Sequence, residues 1–141
     1  MKTTNRSVIE QTLSIIKPDA VERNLDDKIK IFFKNNNLNI LKSKKVKISK
    51  EEAEEFYKVH QTKPFYNDLC NYLSSGAIIV MILEGENAIS RNRELMGATD
   101  PTKAEEGTLR KMYGISIDKN SVHGSDSAEN AKKEIKFFFD K

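Results

Sequence analysis

A single cysteine, Cys70, among 141 residues excludes an internal disulfide and leaves no cysteine-based metal site. Long apolar runs are missing too. The longest, Ala77 to Leu83, is strand-sized and far short of the roughly 18 residues that a membrane-spanning helix needs. The first residues, Met1 to Ser7, start basic but have no apolar stretch behind them, which argues against a secretory leader. These absences make the cytoplasm the expected setting and a membrane partner unexpected. Charge of one sign is also scarce, with 24 basic against 21 acidic residues and a net charge of +3. The basic excess gathers in Lys42-Ser43-Lys44-Lys45-Val46-Lys47. Such a stripe suits a nucleic-acid reader. Acidic residues are nearly as dense elsewhere, however, so the solvated face of an amphipathic strand is the more ordinary reading, and nucleic acid is not the expected partner.

Several recognition sequences are absent as well. There is no Gly-x-x-x-x-Gly-Lys-Ser/Thr loop, no His-Arg-Asp or Asp-Phe-Gly run, and no His-x-His or His-Glu-x-x-His pair. These absences exclude the P-loop, the protein-kinase apparatus and the common zinc sites. Phosphate chemistry in this chain would have to pass through a histidine itself.

What is present fits one soluble domain over 1–141, with residues 1–10 as an N-terminal extension. Hydrophobic residues make up 38% and charged residues 32%, enough for a core under a well-solvated surface. Thr12 to Ile16 reads as a buried strand stopping at Pro18, and Leu25 to Asn35 as a helix turning Ile29, Phe32 and Phe33 inward. Leu38 to Ile48 alternates as a second strand. Ser49 and Glu52 form a capping box for a helix whose inward face carries Ala53, Phe56, Tyr57 and His60. Phe65 to Leu73 is a further short helix, with Gly76 suited to its C-terminal end. The run from Ala77 is a central strand, and Ala88 to Met96 a helix. Gly97 to Gly107 is irregular, which in a compact domain often marks function. Ile115 and Ile117 alternate like a short strand, and Ala128, Ala131, Ile135 and Phe138 mark a last helix, with Asp126 and Glu129 as its N-terminal acidic pair. Strands and helices mixed in this way indicate α+β or α/β, and periodicity does not choose between them.

Of the two histidines, His60 lies on an apolar helix face and reads as a packing residue. His123 lies where a strand gives way to Gly124-Ser125-Asp126 and a helix start. The glycine permits a bend or a close ligand, and the opening amides of a helix attract anions. Neutral imidazole is a competent nucleophile near pH 7. Position alone leaves a plain His-Gly turn open. Lys17 at a strand end, Arg93 before the irregular stretch and Arg110 behind it would together make a phosphate clamp.

Read as a set, these motifs resemble the nucleoside diphosphate kinase family. Asn120-x-x-His123-Gly124-Ser125-Asp126-Ser127 is similar to its active-site signature, and Lys17-Pro18-Asp19-Ala20-Val21 to its first-strand motif. Arg93-Glu94-Leu95-Met96-Gly97, Thr99-Asp100-Pro101 and Gly107-Thr108-Leu109-Arg110 follow in family order. The resemblance spans about Thr12 to Phe139. It implies a ferredoxin-like α+β domain with a four-stranded antiparallel sheet covered by helices. It implies transfer of the γ-phosphate of a nucleoside triphosphate, usually ATP, to a nucleoside diphosphate, with Mg²⁺ held mainly by the nucleotide phosphates. The reaction it implies is ping-pong, through a phosphohistidine on His123. Lys17 would touch the transferring phosphate, with Tyr57 near it and the histidine. Arg93, Thr99 and Arg110 would bind the phosphate tail, and Asn120 the sugar and phosphate side. Phe65 would stack on the base. Glu134 would hydrogen-bond the imidazole and Ser125 would support that contact. Pro101 would serve subunit contacts in a homo-oligomer, a hexamer or a tetramer. Two other readings stay open at this level: a phosphohistidine carrier or phosphatase using the same histidine, and a nucleic-acid module using the lysine stripe.

Overall fold

The computed structural model describes residues 8–140. Its first strand, β1 (Ile9–Ile16), stops where Pro18 opens the short helix α1 (Pro18–Glu22). Proline suits that first helical position because its missing N–H would have had no partner in the helix. Helix α2 (Asp26–Asn35) buries Ile29 and Phe33, while Phe32 is only partly covered. Asn37, at φ 67, turns the chain into β2 (Asn39–Val46), which carries an irregularity in register between Ile40 and Lys42. The expected capping box is present at α3 (Lys50–Phe56). The Glu52 amide donates to Ser49 Oγ at 3.0 Å, and the Ser49 amide donates to Glu52 Oε1 at 2.9 Å. A 3₁₀ turn at Lys58–His60 leads to α4 (Tyr66–Leu73). Then follow β3 (Ile78–Glu86), α5 (Ala88–Met96), a 3₁₀ turn at Pro101–Lys103, α6 (Leu109–Tyr113), β4 (Val122–Gly124) and α7 (Ala128–Phe139).

The strands form one antiparallel sheet in the order β2-β3-β1-β4, the ferredoxin-like α+β arrangement. Period-two alternation sends Leu13, Ile15, Ile78 and Val80 to one face, under Ala53, Tyr57, Leu73 and Phe138. Ile16, Ile79, Met81 and Leu83 face the other way, against Phe33, Ala88, Met96 and Leu109. β3 is paired on both sides and buried from Ile78 to Leu83, as a central strand should be. Phe33 is fully buried, so truncating it to alanine would cost about 3–5 kcal/mol.

Three local expectations are corrected. β1 begins at Ile9, and Glu10 accepts a hydrogen bond from the Ile89 amide at 3.2 Å, so Ile9 and Glu10 belong to the fold; residues 1–7 lie outside the described residues. Ile115 and Ile117 form no strand. They are exposed, and the Ile115 amide donates instead to the Lys119 carbonyl within a turn. The strand that pairs with β1 on that side is Val122–Gly124, and the two alternating isoleucines stay in solvent. Gly76 does not supply a left-handed helix end: α4 closes at Ser74 with φ −90, and the Ser74 hydroxyl donates to the Cys70 carbonyl at 2.8 Å.

Candidate active site

β4 is only three residues long, yet it is held to β1 in register, with Ile15 opposite His123 and Ser14 opposite Gly124. The short strand thereby fixes the backbone of His123. Its ring is fixed from α7. His123 Nε2 lies 3.0 Å from Glu134 Oε1, and Ser125 Oγ donates to the same oxygen at 2.8 Å. Glu134 stands on the inner side of an amphipathic helix whose start is capped by Ser127, which accepts from the Asn130 amide. An ionised carboxylate only accepts, so Nε2 carries the proton and Nδ1 is left with its lone pair. The ring is further packed edge-on by Phe56 at 5.3 Å and Tyr57 at 6.3 Å between centroids.

Gly124 serves packing rather than a bend. A Cβ there would sit 2.2 Å from Asn92 Nδ2 and 2.9 Å from the Met96 terminal carbon, so α5 can lie on β4 only over a glycine. The helix start after His123 is partly occupied by the chain's own groups. Ser127 Oγ accepts from the Asn130 amide, and Asp126 accepts from the Asn130 side chain at 2.6 Å, which holds its carboxyl below the usual range. The positive end of that helix is already answered by acidic and hydroxyl groups.

The cations lie elsewhere. Lys17, at the end of β1, is buried and donates to Asn120 Oδ1 at 2.9 Å; Asn120 Nδ2 in turn donates to the Thr99 carbonyl at 3.1 Å. Arg110, on α6, is also buried and donates to the carbonyls of Gly97 at 3.0 Å and Val122 at 2.9 Å. Its Nε finds no partner among the described residues. Burial first, then the Arg110 charge, pull Lys17 down to about 8, against the opposing charges of Asp19 and Asp118. Burial and then Arg93 pull Arg110 down to about 10. Cations crowded by other cations, with no carboxylate among the described residues salt-bridged to either, await an anion. Burial, followed by Glu134, raises the Tyr57 phenol well above its usual range, so it stays neutral.

The expected residues therefore assemble in two groups around β4. His123, Glu134, Ser125 and Tyr57 form one; Lys17, Asn120, Thr99, Arg110 and Arg93 form the other. Phe65 is 45% exposed and meets neither group directly. A line of rings reaches it from the histidine: Tyr57 to His60 at 6.2 Å, then His60 to Phe65 at 6.0 Å. His60, read as packing, is part of that line, and its buried Nδ1 has no partner among the described residues. Burial, and after it Lys63, lower the His60 pKa. The contact of Asn92 with Gly124 was not foreseen. Its sequence signal is a polar residue at a helix position spaced to face inward, four before Met96.

Among the described residues no three histidines, cysteines or carboxylates gather as a metal cage, and no helix is long and apolar enough to cross a membrane. The family model described as "Nucleoside diphosphate kinase" matches residues 10–141. A nucleoside diphosphate kinase of Persephonella marina is 56% identical over 131 residues, covering 93% of this chain and 94% of its own. One from a Nitratiruptor species is 57% identical, covering 93% and 96%. The crystal structure of the Aquifex aeolicus nucleoside diphosphate kinase superposes with a TM-score of 0.92 at 40% identity, over 94% of this chain and 96% of that one. That of Encephalitozoon cuniculi gives 0.90 at 39%, over 94% and 90%. With a matching model along nearly its whole length and relatives this similar, the chain belongs to the nucleoside diphosphate kinase family.

Proposed function

We propose that His123 carries the phosphate of a nucleoside diphosphate kinase reaction as a covalent intermediate. The carrying observation is the Glu134–His123 contact at 3.0 Å: a carboxylate that accepts from Nε2–H leaves the Nδ1 lone pair as the nucleophile. The Nδ1 lone pair forms a bond to the γ-phosphorus while the bond to the β–γ bridging oxygen breaks, and the nucleoside diphosphate leaves with that electron pair. A terminal oxygen of a second nucleoside diphosphate then attacks the phosphorus, the P–N bond breaks, and its electrons return to Nδ1. Nε2–H stays on Glu134 throughout, so the positive charge that develops on the ring meets a carboxylate.

Lys17, Arg110, Arg93 and the Thr99 loop supply charge and position for the phosphate tail, and Asn120 holds Lys17 and reaches the sugar side. Phosphoryl transfer depends mostly on positioning and charge neutralisation, which this set provides. Phe65, exposed at the start of α4, offers a face to any base, so base tolerance is expected. The donor set is cationic and lacks a carboxylate cage, which fits Mg²⁺ arriving on phosphate oxygens rather than on side chains. Bound there, the metal would spread the charge of the phosphoryl oxygens. A cytoplasmic setting and a homo-oligomer, a hexamer or a tetramer, belong to the same reading. The exposed sheet edge at β2, with Leu41 in solvent, supports self-association.

Incubation with γ-labelled ATP and Mg²⁺ tests the mechanism. The expected product is an acid-labile, alkali-stable label on the protein, absent from His123→Ala and discharged onto GDP. An unlabelled protein, or equal labelling of His123→Ala, overturns it.

A further inference from the structure

Between Asn120 and His123 the backbone makes a strained turn. Ser121 has φ 75, and the Val122 amide donates to the Asn120 carbonyl at 2.9 Å. This is a γ-turn of positive φ, a rare conformation for a side-chain-bearing residue that persists only where its surroundings hold it. The surroundings converge on one carboxylate. Ser121 Oγ donates to Asp19 Oδ2 at 2.7 Å, Arg23 to the same oxygen at 3.0 Å, and the Tyr72 hydroxyl to Asp19 Oδ1. The Asp19 amide closes the ring by donating to the Tyr72 oxygen at 2.9 Å. Arg23 also reaches the Tyr113 carbonyl at 2.6 Å, and the Lys17 amide donates to the Ser121 carbonyl at 2.8 Å.

We infer that Asp19, through Ser121, Tyr72 and Arg23, is a positioning residue that holds this strained turn and so sets Asn120 against Lys17 on one side of it and His123 on the other. It touches none of the reacting groups. Its partners nevertheless tie together three of the elements that bring one to the site: the end of β1 with Lys17, the end of α6 with Arg110, and the approach to β4. A carboxylate accepting charge-assisted bonds from three side chains is a firm anchor. The inference rests on His123 being the phosphate carrier. A second consequence is electrostatic: among the charged groups around Lys17, Asp19 and Asp118 favour its protonated form and Arg110 opposes it.

The test uses Asp19→Asn, which keeps the shape and removes the charge, and Ser121→Gly, which removes the hydroxyl but tolerates positive φ. Single-turnover labelling of His123 from ATP, kcat and KM separately, and the pH profile of kcat/KM are measured beside the parent protein. Asp19→Asn is expected to slow labelling roughly ten- to hundred-fold, the scale of a small misplacement at a reacting centre. It should also move the alkaline limb of kcat/KM to lower pH, which a merely structural role would not do. Ser121→Gly should slow labelling about five-fold or more with the limb in place, because a hydroxyl bond of about 1 kcal/mol is lost and no charge. Folded variants that label at the parent rate overturn the inference, as does an Asp19→Asn profile whose limb stays put. If Asp19→Asn does not fold, Ser121→Gly decides, and a parent-like rate there overturns it. A parent protein that takes no label on His123 overturns the underlying reading as well, so the two failures are told apart.

Discussion

The lysines of β2 and the cations beside β4 carry the same charge in opposite circumstances. Lys42, Lys44 and Lys45, on the outer strand of the sheet, and Lys47, one residue past its end, are close together in sequence and exposed. Lys44 spends its charge on the Phe138 carbonyl and the Phe139 ring, 5.0 Å away, and Lys47 on the Ser74 carbonyl. Lys17, Arg93 and Arg110 are far apart in sequence and are brought together by folding, with Lys17 and Arg110 buried and their pKa values pulled down. The lesson is that charge density along the chain says little. Charge that folding has crowded and dried is what can do work on a phosphate, because water no longer screens it.

The largest contrast comes from Lys17→Met set beside Lys45→Ser. Lys17→Met removes one desolvated donor aimed into the site, and kcat/KM for ATP is expected to fall about 10²–10³-fold, the scale of losing one such group. The exposed Lys45 should change it by less than about two-fold. Steady-state rates with ATP and GDP decide this. Similar losses in the two variants would break the distinction between crowded and solvated charge.

Much of this contrast was legible in the sequence, but not its cause. The unbroken apolar run from Ala77 located β3, and the Ser49–Glu52 pair located the start of α3 to the residue, because a reciprocal cap has one geometry. Lys17, Arg93, Thr99, Arg110 and Asn120 lie near β4, since the motifs that name them bracket the ends of β1, α5, α6 and β4, whereas Phe65 stands apart beyond His60. What stayed hidden is what only packing creates. Gly124 looked like a bend and is a contact with Asn92; the start of α7 looked like an open anion site and already has one amide on Ser127 and the Asp126 carboxylate beside it. Ile115 and Ile117 alternated without a strand to join. Asp19 stood inside a quoted motif, yet its partners Tyr72 and Ser121 are 53 and 102 residues away, beyond any local pattern.

The next effect is a pH dependence of two opposite signs. Burial and Arg110 lower Lys17 from 10.5 to about 8 in the folded protein. Activity requires the charged lysine, so kcat/KM, which reports the free enzyme, should decline above about pH 8. Stability moves the other way. Between about 8 and 10.5 the unfolded chain binds more protons at Lys17 than the folded one does, so unfolding free energy rises with pH across that window as far as this group is concerned. Bound nucleotide should push the decline in kcat to higher pH, because phosphate favours the charged lysine. Thermal melts and rate profiles collected between pH 7 and 10 check both signs. A flat rate profile would show that Lys17 is not held low in the way its burial and neighbours require.

The smallest effect should come from the stripe itself, and it is informative because it is not uniform. Lys42→Ser and Lys45→Ser remove exposed charges and should leave both melting temperature and phosphotransfer within error, with no steep salt dependence of DNA binding to lose. Lys44→Ala differs, since Lys44 caps the C-terminal carbonyls of α7 through Phe138 and lies over Phe139. A cation at a helix C-terminus and over a ring contributes about 1 kcal/mol. Glu134 sits on that same helix, so loosening its end should lower the labelling rate of His123 slightly while nucleotide KM stays constant. Chemical denaturation and single-turnover labelling of the three variants separate these outcomes. Equal behaviour of Lys44→Ala and Lys45→Ser would mean that α7 is held by its buried face alone, through Ala131 and Phe138, and that the stripe is solvated charge from end to end.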